Sequence, residues 1–96
     1  MRREVLNDIS ILVVEDEPFV ALDIAMEIEG AGGNVLGPAP SVAAAIELLK
    51  KEEVHAAILD VHLPDGDVGP VVTQLSRLCV PFLFHCGGWS NPRPRG

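Results

Sequence analysis

The sequence predicts an α/β domain built on a parallel sheet, and three observations carry that prediction. Segments with strand character alternate with segments of helical periodicity in the order β-α-β-α-β-α-β, the pattern of successive βαβ units. Ile11–Val14 and Ala56–Leu59 are apolar at consecutive positions, as in strands covered on both faces. Both runs end on acids, Glu15-Asp16-Glu17 and Asp60, at the strand ends where open α/β sheets place their chemistry.

The elements follow in order. Residues 1–8 form a polar lead-in. Ile9 to Val14 is the first strand, and Pro18 suits the first turn of the helix after it, where a missing N–H costs nothing. Ala21, Ile24, Ala25 and Ile28 share one face of that helix, with Asp23 and Glu27 opposite, and Gly30 to Gly33 stop it. Asn34 to Gly37 is a short strand closed by Pro38 and Pro40. Ser41 is an N-cap for a second helix, whose stripe is Val42, Ala45, Ile46 and Leu49, with Lys50-Lys51 at its C-terminal end. His55 to Asp60 is the third strand, followed by a turn at Leu63-Pro64-Asp65-Gly66. The third helix has Pro70 near its start and Val68, Val71, Leu75 and Leu78 on one side. Val80 to His85 is the fourth strand, Gly87-Gly88 end it, and residues 89–96 are an irregular Pro/Arg tail.

Composition narrows the function. A net charge of −7 over 96 residues, with acids crowded between Glu15 and Glu29, disfavours nucleic acid and anionic membranes and suits a cation. No apolar run approaches the ~20 residues of a membrane span, and the N-terminus lacks a signal-peptide core, so a cytoplasmic protein is expected. Cys79 and Cys86 read as reduced, buried thiols. With His85 they match no tight zinc spacing, and Asn91-Pro92-Arg93-Pro94-Arg95 reads as a solvated tail.

If the first and third strands are neighbours, Glu15, Asp16 and Asp60 form one acidic pocket. Such carboxylates repel one another and are stable when ionised with a hard cation such as Mg²⁺. A carboxylate beside Mg²⁺ is also a nucleophile toward phosphoryl groups. Taken alone, Asp16 or Glu17 reads more simply as a helix N-terminal acid, and Asp65 and Asp67 as turn residues.

Ile11-Leu12-Val13-Val14-Glu15-Asp16-Glu17-Pro18 and Ala57-Ile58-Leu59-Asp60-Val61-His62-Leu63-Pro64-Asp65-Gly66 resemble the receiver domain of two-component response regulators. Gly37 to Ala45 and Val80 to Phe84 extend the match over residues 9–88. The resemblance implies a flavodoxin-like doubly wound parallel sheet, incomplete here with four strands and three helices in the order 2-1-3-4. It implies that Asp60 is the phosphoacceptor, served by a histidine kinase or phosphotransfer protein and read by a downstream protein partner. It also implies Mg²⁺ held by Asp16, Asp60, the backbone carbonyl of His62 and, through water, Glu15.

The sequence departs from the family in two places. Cys86 stands where the family has a Thr or Ser that binds the phosphoryl group, and no lysine follows position 51. The family's last helices and strand have no counterpart in the sequence. A phosphorylation-impaired pseudo-receiver is therefore the alternative to a working phosphoacceptor. A Mg²⁺-dependent phosphatase is disfavoured, because His62 stands where a second acid is needed. An unpaired fourth strand bearing Val80, Phe82 and Phe84 predicts self-association or swapping through that edge.

Overall fold

The computed structural model describes residues 6–85. Strands β1 (Ser10–Val14), β2 (Asn34–Ala39), β3 (Ala56–Asp60) and β6 (Phe82–His85) form one parallel sheet in the order β2-β1-β3-β6. Helices α1 (Pro18–Gly30), α2 (Val42–Lys51) and α3 (Gly69–Arg77) connect them. This is the expected architecture and strand order; β6 is the strand read from the sequence as the fourth. The Leu-Pro-Asp-Gly turn carries a small antiparallel hairpin of its own, β4 (His62–Leu63) and β5 (Gly66–Asp67), which is why the label shifts.

The alternation of side chains along β1 sorts the core into two layers. Leu12 and Val14 face α2 and α3, packing with Ala45, Leu49, Val71 and Leu75. Ile11 and Val13 face the other way and pack with Ile28 of α1. Burial on both faces explains why β1 is apolar at every core position. Among the described residues α1 alone lies on the second face. A groove of about 360 Å³ therefore opens there, lined by Ile24, Ile28, Ile58 and His85 among others.

Local chemistry fixes the helix ends. The Ser41 hydroxyl accepts the Ala44 N–H at 3.1 Å, the expected N-cap of α2. Gly32, at φ +92°, ends α1 with Gly33 N–H donating to the Ile28 carbonyl and Gly32 N–H to that of Glu29.

Three expectations are corrected. β2 runs on to Ala39, with an irregularity in its pairing to β1 between Leu12 and Val14. Gly37 takes φ +97° there, and a Cβ on it would lie 3.0 Å from the Val13 carbonyl oxygen, so backbone passes backbone where only glycine fits. Leu78 is half exposed, not part of the stripe of α3. Cys79 is exposed, not buried. Its φ is +57°; its N–H donates to the Ser76 carbonyl and that of Val80 to the Leu75 carbonyl, so α3 ends in a motif whose left-handed residue must turn outward. Cys86 and the 89–96 tail lie outside the described residues.

Candidate functional site

Parallel pairing of β1 with β3 places Val14 opposite Leu59, so the residues following them emerge side by side at one end of the sheet. Carboxylate oxygens of Glu15, Asp16 and Asp60 lie within 4.8 Å of one another. Among the described residues Glu15 and Asp60 are the buried charged ones, while Asp16 is exposed. The pocket that the sequence forecasts is therefore formed.

Its electrostatics are those of crowded acids. Burial pushes the Glu15 carboxyl up to about 7. The Glu17 N–H, donating to Glu15 Oε2 at 2.9 Å, pulls the other way, while the Asp60 and Asp16 carboxylates push further up. The Asp60 Oδ1 accepts the His62 N–H at 3.1 Å, which fixes one of its oxygens, and the His62 side chain is exposed. Glu15 Oε1 is buried and accepts no hydrogen bond from the described residues. An anionic oxygen left in that state is costly and fits a bound cation. Three carboxylates are the hard oxygen donors that Mg²⁺ takes.

Two features escaped the sequence. His85 Nε2 stands 2.8 Å from Glu15 Oε1, off the line that a hydrogen bond requires. The register of β3 with β6, Asp60 opposite His85, brings it there; the residue type alone gave no signal. Asp65, read as a turn residue, accepts the Val42 and Ala43 N–H groups at 2.8 and 3.1 Å, capping α2 from the loop beyond Asp60. Those bonds hold its carboxyl below the ordinary value. Asp67 accepts the Gly69 N–H at 2.6 Å, a local turn bond just ahead of α3.

No family model matches the chain. Among curated proteins it is 36% identical over 87 residues to the phyllosphere-induced regulator PhyR of Methylorubrum extorquens, covering 85% of this chain and 33% of that protein. Among solved structures it is similar to the response regulator PhyR of Brucella abortus, with TM-score 0.76 and 28% identity over 84% of this chain and 34% of that one. The response regulator MaeR bound to beryllium trifluoride matches with TM-score 0.69 and 26% identity, over 88% of this chain and 70% of that one. The chain carries a response-regulator receiver domain. The receiver domain spans about a third of the length of the curated relatives it matches. No helix among its described residues is long and apolar enough to cross a membrane.

Proposed function

We propose that this receiver domain is a phosphoacceptor module, signalling rather than enzymatic, that takes a phosphoryl group at Asp60 from a histidine kinase or phosphotransfer protein. The observation that carries the reading is the buried Asp60 carboxylate at the end of β3, clustered with Glu15 and Asp16 within 4.8 Å. Asp16, Asp60 and the His62 carbonyl would hold Mg²⁺, with Glu15 through water. When bound, the ion supplies positive charge that draws off charge from the transferring oxygens. The His62 N–H holds Asp60 Oδ1, which leaves the other carboxylate oxygen to attack phosphorus. In that step the P–O bond to Asp60 forms, the P–N bond of a donor phosphohistidine breaks, and its electron pair returns to the imidazole.

A protein donor or reader is supported by α1, whose outer face presents Phe19, Leu22 and Met26 at helical spacing, all well exposed. They lie on the helix that begins just after Glu15 and Asp16. Self-association is supported by β6, a sheet edge among the described residues with Leu83 68% and Phe84 51% exposed. Light scattering at about micromolar concentration is expected to give a dimer or larger; a monomer with cooperative unfolding sinks that part of the reading.

One observation favours the pseudo-receiver instead. No lysine reaches the acids among the described residues: Lys50 and Lys51 are exposed at the end of α2, and Lys51 pairs with Glu47 at 3.9 Å. Acetyl phosphate with and without Mg²⁺ separates the two readings by intact mass, with Asp60→Asn as control. A Mg²⁺-dependent gain of one phosphoryl group, lost in the variant, is expected. No gain at any metal level leaves the pseudo-receiver.

A further inference from the structure

The sheet face that carries α1 is only partly covered by it among the described residues. α1 packs over β1 and β2, while Ile58 of β3 and its cross-strand neighbour Leu83 of β6 lie beyond the helix on that face. Leu83 is well exposed. The groove of about 360 Å³ left beside α1 combines apolar Ile24, Ile28 and Ile58 with the acids Asp23 and Glu27. His85, the last residue of β6, also lines it.

An occupant of this groove must bring apolar surface to the isoleucines and positive charge to the acids. A second copy of the chain meets it badly, because each chain carries a net charge of −7. Residues 86–96 meet it well. They leave β6 at the groove itself, and they hold Trp89, Arg93 and Arg95 and no acid. Gly87-Gly88 permit the reversal that such a path needs. The chain from His85 to Trp89 reaches about 14 Å, against the roughly 12 Å over which α1 rises from Val20 to Ile28. Asp23 and Glu27 are about 6 Å apart along α1, and Arg93 and Arg95 stand about 6–7 Å apart on extended backbone.

We propose that residues 86–96 fold back onto this groove, with the Trp89 indole on Ile24, Ile28 and Ile58 and the Arg93 and Arg95 guanidinium groups on Asp23 and Glu27. The segment that reads from sequence as a solvated tail is then the cover of the α1 face. The ladder edge of β6 stays open, and the inference does not depend on phosphoryl transfer to Asp60.

Trp89 is the one tryptophan of a chain without tyrosine, so its fluorescence reports this segment directly. The whole chain is compared with two double charge reversals, Asp23→Lys with Glu27→Lys and Arg93→Glu with Arg95→Glu, and with the chain carrying all four changes. Asp23 and Glu27 are exposed, so their reversal spares the core. Native wild type is expected to emit to the blue of the urea-unfolded chain and to resist quenching by acrylamide. Each double reversal turns two attractions into repulsions and should lower the ratio of docked to free segment by about tenfold, moving the emission to the red. The fourfold variant should recover the blue emission. Native emission at the unfolded position, reversals without effect, or a fourfold variant no better than either double overturns the proposal. Mixing the two double-reversal chains tests docking on a second copy: blue emission recovered in the mixture overturns the assignment within one chain. Should a reversal not fold by circular dichroism, nuclear Overhauser contacts in wild type between the Trp89 ring and the Ile24 and Ile58 methyls decide the matter, and their absence overturns it.

Discussion

Replacing Glu15 with glutamine should make the metal-free domain more stable above neutral pH and leave it nearly unchanged in mild acid. The Glu15 carboxyl rises from an ordinary 4.5 to about 7 in the fold, chiefly by burial. The folded chain thus keeps a proton that the unfolded chain releases, and the stability this confers is full below about pH 4.5 and lost as pH rises through about 7. Each unit of that window is worth about 1.4 kcal/mol, so the whole loss has a ceiling of about 3 kcal/mol. Glutamine keeps the shape and cannot ionise. Urea unfolding with EDTA present, followed by far-UV circular dichroism from about pH 5 to 8, should give wild type a falling curve and Glu15→Gln a flatter one. The variant should lead by about 2–3 kcal/mol at the alkaline end, on the order of 10 °C in melting temperature for a domain of this size. Parallel curves, or a variant weaker than wild type at about pH 8, would refute the reasoning.

Other outcomes follow from single contacts. Saturating the site with Mg²⁺ at about 100 times its Kd should add about 2.7 kcal/mol to wild type, and markedly less to Asp60→Asn, in the same urea assay. Leu75→Ala empties a fully buried position between α3 and the sheet and should cost about 2–5 kcal/mol; a smaller loss would mean that the α3 layer is not closely packed. Cys79→Gly relieves a left-handed residue at the end of α3 and should stabilise by about 1 kcal/mol, while the wild-type thiol should react with iodoacetamide in the native state. Ser41→Ala removes the α2 cap and should cost about 1 kcal/mol, visible as a lower urea midpoint with unchanged slope.

The fold was legible because its signals are local. The double-sided burial of β1 and β3 is visible as unbroken apolar runs, and Ser41 caps the helix that begins right after it. The acidic pocket was legible at one remove, needing only that β1 and β3 be neighbours. What stayed hidden depends on contacts between distant segments. Asp65 looks like any turn acid until the chain folds back on Val42 and Ala43. His85 looked like the polar end of a strand because its contact with Glu15 depends on how β6 registers against β3. Cys79 was misread because its neighbours Leu78 and Val80 are apolar, while its exposure comes from a backbone angle that composition does not encode.

The Asp65 bonds close a ring of chain that runs from the first turn of α2, along β3 to Asp60, around the hairpin and back. Inside that ring the His62 N–H is tied to Asp60 itself. A rearrangement at Asp60 therefore begins on a tether whose far end is the head of α2, and the hairpin cannot swing away without releasing the Val42 and Ala43 N–H groups. Val42 and Ala43 precede Asp60 in sequence, yet mechanically they lie downstream of it.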